Sequence, residues 1–219
     1  MVQHKNIIRI AVAAVCTLAF PLAVVSLSSE EVRYEALQIV TSWRGRLIGI
    51  HSVYVGDSIT SAGRHWGAAL GSINLAEDGY TVRQIGDQLV QAKQYSPERI
   101  FMLAGTNDVL SVKTFDPRQF ELDYSSLLDR AQQTKAQVFI TLIPFTSRAE
   151  ANQFIPPANQ IIKRLARSRG IPVIDLNPTI APRGLLLTRY TVDGVHFSDA
   201  TYSLWRAEIE SAIRQDDAK

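Results

Sequence analysis

A chain of 219 residues with 46% hydrophobic side chains is long enough to bury one well-packed core and too short for two ordinary domains besides a membrane segment. Its formal charge of +2 arises wholly in the first 29 residues, where Lys5 and Arg9 stand without an acid, so that 30–219 is balanced at 21 basic and 21 acidic side chains. That balance leaves no electrostatic footprint for nucleic acid as a partner, and the single cysteine, Cys16, excludes an intrachain disulfide and a cysteine-based metal site.

The first 29 residues form a unit of their own. An uncharged apolar stretch over 10–27 follows His4, Lys5 and Arg9 and precedes Glu30 and Glu31. Its length approaches the roughly 20 residues that cross a bilayer as a helix, and the flanking charges predict a cytoplasmic N-terminus with everything after 29 on the far side. Residues 1–29 therefore read as a signal-anchor or a signal peptide. Ser26-Leu27-Ser28 offers small residues at signal-peptidase spacing, while Pro21 suits a kinked, permanent helix. The rest of the chain is expected to be membrane-anchored and extracytoplasmic, in the periplasm or at the cell surface, or secreted where the segment is cleaved. Cys16 reads as a small apolar filler within this run.

Residues 30–43 mix Val32, Leu37, Ile39 and Val40 with charges and contain neither Gly nor Pro, which predicts a short helix. A helical linker over 30–46 then leads to one domain over 47–215. Within it, short β-branched runs predict strands at 47–55, 72–75, 99–104, 137–143 and 171–176. Longer amphipathic runs predict helices at 59–70, 81–94, 117–133, 148–169 and 199–214. Pro117 after Asp116 suits a first helical position, and Gly170 is placed to stop the fourth of these helices. The last four residues, 216–219, are expected to fray. Strands alternating with helices imply parallel pairing and right-handed crossovers. The predicted fold class is α/β, a three-layer α/β/α sandwich on a mostly parallel five-stranded sheet. In such sheets a site lies outside the carboxyl ends of the strands, where Ser58, Gly79, Asn107 and the 144–147 loop all emerge.

The chemistry concentrates in four short blocks. Gly56-Asp57-Ser58 follows the first apolar run and places a hydroxyl where a strand turns into a helix. Asp193-Gly194-Val195-His196, near the other end, supplies an imidazole with a carboxylate three residues before it. A serine hydroxyl is a weak nucleophile unless an imidazole takes its proton, and a carboxylate fixes the imidazole tautomer. Between them lie Gly79, in Asn-Leu-Ala-Glu-Asp-Gly, and Asn107, in Gly-Thr-Asn-Asp, whose backbone N–H and side-chain amide can donate to an oxyanion together with the Ser58 N–H. Asp57 and Asp108 suit a different task, bracing their loops through hydrogen bonds to backbone. Arg64, Arg83, Arg148 and Arg183 are candidates for a cationic rim. No metal cluster, phosphate-cradling glycine loop or dinucleotide fingerprint is legible, so no cofactor is expected.

The blocks VYVGDSIT, NLAEDGYT, LAGTND and DGVHFSD resemble those of the SGNH hydrolases, the GDSL esterase/lipase family, over most of the chain. The family often has glycine where Ala76 stands. The resemblance implies a flavodoxin-like fold, a Ser58–His196–Asp193 triad, and an oxyanion hole of Ser58, Gly79 and Asn107. It implies a serine esterase acting on carboxylic esters such as the O-acyl groups of glycans or lipid esters. Two alternatives stay open from sequence: an O-acyltransferase that uses a glycan hydroxyl in place of water, and a non-catalytic glycan-binding protein on the same fold.

Overall fold

The computed structural model describes residues 30–48, 50–63 and 72–218. The expected membrane or signal helix, Cys16, Arg64 and the far part of the helix predicted at 59–70 lie outside them. Among the described residues no helix is long and apolar enough to cross a membrane.

The chain opens with α1 (Glu30–Ile48), then runs β1 (Ser52–Gly56), α2 (Ser58–Ser61), β2 (Ser72–Asn74), α3 (Val82–Lys93), β3 (Arg99–Leu103), α4 (Thr106–Leu110) and α5 (Pro117–Gln132). It continues through β4 (Gln137–Thr141), a 3₁₀ turn (Ala151–Phe154), α6 (Ile155–Ser168), β5 (Val173–Ile174), α7 (Asn177–Ile180), a second 3₁₀ turn (Thr188–Tyr190) and α8 (Asp199–Asp217). The five strands lie in the order β2-β1-β3-β4-β5, and every neighbouring pair is parallel. This is the doubly wound order in which the strand sequence reverses beside β1.

Side chains alternate across the sheet as a period of two requires. Ile100 and Met102 of β3, with Val53, Val55, Val138 and Ile140, enter one core beneath α3, α5 and α6. Phe101 and Leu103, with Phe139 and Ile174, enter a second core beneath α7 and α8. On that second face Tyr54, Phe101 and Phe139 are register partners on adjacent strands and stack at 5.2 and 5.1 Å between ring centroids. Two cores, one on each face of the sheet, make the three layers.

Several boundaries differ from expectation. β1 starts at Ser52 because α1 runs on through Leu47 and Ile48. The segment predicted as one helix over 148–169 is a turn, a 3₁₀ turn and then α6. Pro156 and Pro157 cause the break, since a residue without an N–H is tolerated only in a first helical turn. β5 shrinks to Val173–Ile174 behind Pro172. In the tail expected to fray, Asp216 and Asp217 instead continue α8, where Asp217 meets Arg99 at 3.4 Å and Asp216 accepts from the Gln137 amide.

Candidate active site

The carboxyl end of β1 is shaped by crowding. A Cβ on Gly56 would lie 2.3 Å from Thr60 Oγ1 and 2.6 Å from the Leu103 carbonyl oxygen, so only glycine lets the chain turn into α2 at this point. Asp57 caps α2, its Oδ1 accepting the Ile59 N–H at 3.0 Å. It is fully buried, with Oδ2 lacking a hydrogen-bond partner among the described residues. Burial pushes the Asp57 carboxyl up to about 6, against the pull of the nearby Thr106 hydroxyl, the Ile59 N–H and the charge of His196. Ser58 follows as the first residue of α2.

The loop between Thr191 and Phe197, which form an isolated antiparallel bridge, carries the imidazole to this point. His196 Nε2 stands 2.9 Å from Ser58 Oγ, and His196 Nδ1 stands 2.6 Å from Asp193 Oδ2. The other carboxylate oxygen of Asp193 accepts the Val195 and His196 N–H groups at 2.9 and 2.8 Å. The slight burial of Asp193 opposes its ionisation, but the hydrogen bonds from the His196 imidazole and from the His196 and Val195 N–H groups win and bring its carboxyl down to about 2. Asp193 is therefore ionised at any ordinary working pH, as a group that must hold an imidazole requires.

Gly79 has φ of 77° and its side is open, with no atom within 4 Å of where a Cβ would stand. The requirement for glycine there is conformational. Neither the Gly79 nor the Ser58 N–H has an acceptor among the described residues. Asn107, on the first turn of α4, donates one amide hydrogen to the Tyr80 carbonyl at 2.9 Å, which leaves the second for another acceptor. Asp108 beside it accepts the Val82 N–H at 3.0 Å. Together the two side chains fasten α4 to the segment that carries Gly79. Asp57 and Asp108 thus both bond to backbone, as their sequence context predicts. Arg83 pairs with Asp123 of α5 at 2.9 Å, while Arg148 and Arg183 are exposed.

Sequence reasoning missed the uncharged side chains that hold these loops in place. Gln88 is buried in α3 and pairs with both peptide groups of Gly56, accepting its N–H at 2.8 Å and donating to its carbonyl at 2.9 Å. Asn74 donates to the Thr60 carbonyl and accepts the Ala76 N–H, at 3.0 and 3.1 Å, tying α2 to the Gly79 segment. Asn159 pairs with both groups of Ile143 at 3.0 and 2.8 Å. Asn177 donates to the Ile143 carbonyl and accepts the Phe145 N–H. Asn152 binds the N–H and carbonyl of Thr146, at 2.8 and 2.9 Å, and the Gly184 carbonyl. For Gln88 a signal existed: it interrupts the apolar stripe of Val82, Ile85, Leu89 and Ala92 on the buried face of α3.

A family model described as the GDSL-like Lipase/Acylhydrolase family matches residues 54–204. Among solved structures the chain is similar to a GDSL-like lipase from Bacteroides thetaiotaomicron, with a TM-score of 0.68 at 22% identity, over 84% of this chain and 98% of that one. It is similar to a lipase/acylhydrolase from Enterococcus faecalis, with a TM-score of 0.61 at 22% identity, over 75% and 97% of the two chains. It also resembles an acetyl xylan esterase, with a TM-score of 0.62 at 22% identity, over 75% and 100%. At these identities the likeness to the solved structures is one of fold. No match is found among curated proteins.

Proposed function

Because the chain belongs to the GDSL-like lipase/acylhydrolase family and is a hydrolase, we propose that it is a serine esterase that removes small O-acyl groups from a glycan outside the cytoplasm. The observation that carries the reading is the unbroken hydrogen-bonded chain from Ser58 Oγ through His196 to Asp193 at the carboxyl edge of the sheet.

In this mechanism Ser58 Oγ attacks the ester carbonyl carbon as His196 Nε2 takes its proton. Asp193 Oδ2 accepts from Nδ1–H and stabilises the imidazolium. The carbonyl oxygen becomes an oxyanion facing the Ser58 and Gly79 N–H groups and the second amide hydrogen of Asn107. His196 then returns the proton to the departing alcohol oxygen, leaving an acyl-serine. Water, deprotonated by the same imidazole, attacks that ester, and the proton goes back to Ser58 as the carboxylic acid leaves.

The exposure of Gly79 and Asp193 supports a bulky substrate whose ester sits at a surface. The likeness in fold to an acetyl xylan esterase supports a short acyl group on a polysaccharide. The apolar run over 10–27 after Lys5 and Arg9 supports the extracytoplasmic placement. The test is hydrolysis of p-nitrophenyl acetate, butyrate and octanoate by the full chain, together with acetate release from an O-acetylated polysaccharide. Preference for acetate and acetate release from the polymer are expected. Preference for octanoate with an untouched polymer would overturn the glycan reading.

A further inference from the structure

We propose that Thr191 is a positioning residue for the His196–Asp193 pair, holding the loop so that the carboxylate and imidazole meet in one geometry. The inference rests on reading Ser58, His196 and Asp193 as the reacting groups. The pair sits on a surface loop: the Asp193 side chain is 51% and that of His196 36% exposed. Packing therefore does little to fix it, and its order must come from hydrogen bonds.

Thr191 supplies them from inside the loop. Its Oγ1 donates to the His196 carbonyl at 2.7 Å, accepts the Gly194 N–H at 2.8 Å, and lies 3.4 Å from the Asp193 N–H. A hydroxyl has one hydrogen and two lone pairs, so this side chain is occupied wholly by the peptide groups of the loop it starts. The Val192 N–H donates to the same His196 carbonyl at 3.0 Å. These bonds turn the backbone so that Asp193 Oδ1 receives the Val195 and His196 N–H groups while Oδ2 faces Nδ1. On the outer side, the Ser147 N–H donates to the Gly194 carbonyl at 2.8 Å, fixing the loop against the chain that follows β4. Without the Thr191 hydroxyl, water can take over the half-exposed peptide groups, so stability changes little. The direction in which Asp193 and His196 point is what is lost.

The test compares the full-length wild type with Thr191→Val, which keeps the shape without the hydroxyl, and Thr191→Ser, which keeps the hydroxyl without the methyl. Hydrolysis of p-nitrophenyl acetate should show kcat about 10- to 100-fold lower for Thr191→Val, the usual consequence of a small misplacement of reacting groups. Its KM should stay within about twofold and its urea midpoint close to wild type. Thr191→Ser should restore kcat to within about threefold of wild type. The low-field proton resonance of the His196 Nδ1–H, assigned by its loss in His196→Ala, should broaden or move in Thr191→Val and persist in Thr191→Ser. Thr191→Ala provides the same comparison should valine prevent folding.

Wild-type kcat and an unmoved resonance in Thr191→Val would overturn the proposal, as would equal losses in the valine and serine variants. Ser58→Ala and His196→Ala separate the two readings. Inactivity of both beside a fully active Thr191→Val removes only the role of Thr191. Full activity of both removes the reading of the site, and the role of Thr191 with it.

Discussion

His196 Nε2 lies 2.9 Å from Ser58 Oγ although 138 positions separate the two residues in the chain. Ser58 is held by the turn from β1 into α2, and His196 by a loop leading into α8, which packs on the opposite face of the sheet from α3. The contact therefore exists only when both layers are docked. Tyr202 of α8, whose hydroxyl donates to the Ile59 carbonyl at 2.8 Å, and Trp205, whose Nε1–H donates to Thr141 Oγ1 at 2.8 Å, are the buried bonds that dock α8.

Ser58→Ala and His196→Ala should each lower the turnover of p-nitrophenyl acetate by more than about 1,000-fold, as removal of one member of a cooperating triad does. Circular dichroism should show the fold intact. Turnover within about tenfold of wild type in either variant would remove the nucleophile and base assignments.

Asp193→Asn should retain the acceptor for the Val195 and His196 N–H groups but place an amide donor against Nδ1–H. Two donors then face each other, the imidazole turns to the wrong tautomer, and kcat should fall by about 1,000- to 10,000-fold. Because the Asp193 carboxyl is held down to about 2, below its ordinary 3.8, the favourable interaction it contributes is complete above the ordinary value and disappears as pH falls through about 2. A wild-type rate profile from pH 4 upward should therefore carry no limb from Asp193.

Asp57 has the opposite sign. Burial raises its carboxyl from 3.8 to about 6, so the stability associated with its neutral form is complete below 3.8 and is lost as pH rises through about 6. The loss amounts to a few kcal/mol at most, since each tenfold change in proton affinity is worth about 1.4 kcal/mol. Urea unfolding of wild type and Asp57→Asn at pH 4.5 and 7.5 checks this. The wild type should be the less stable at the higher pH, and the variant, which has no charge to bury and keeps an acceptor for the Ile59 N–H, should respond far less. Equal pH responses in the two proteins would contradict the assignment.

Gln88→Leu should destabilise the protein by about 1 to 3 kcal/mol, because it leaves the buried Gly56 N–H without its acceptor, while the Gly56 carbonyl keeps the Glu77 N–H. Denaturant unfolding measures this directly. Asn107→Ala should cost only about 1 kcal/mol of stability, for the lost bond to Tyr80, and lower kcat about 100- to 1,000-fold at little cost in KM, since in the proposed mechanism its second amide hydrogen is used only when the oxyanion forms.

Contiguity decided what could be read from the sequence. Gly56-Asp57-Ser58 and Asp193-Gly194-Val195-His196 are short words whose residue types announce their chemistry, and the alternation of apolar runs was enough for the parallel sheet. Thr191, Asn74, Asn152 and Gln88 were not legible in the same way. Each acts on peptide groups, which every residue possesses, so the partner leaves no trace in the sequence; the partner of Gln88 lies 32 positions away. The break before α6 had a local cause in Pro156-Pro157. The extension of α8 to Asp217 did not, since it depends on Gln137 and Arg99 of neighbouring strands.

Where parallel strands end and the backbone opens to make room for chemistry, ladder hydrogen bonds must stop, and loops there are commonly the first parts of a protein to loosen. Here Gln88, Asn159, Asn177 and Asn152 offer planar amides that pair with main chain much as another strand would. The sheet is in effect prolonged past its own ends by side chains rooted in the cores. Opening one of these strand ends would leave its amide stranded in the interior, so the backbone at Gly56, Ile143 and Thr146 should loosen only as the fold itself is lost.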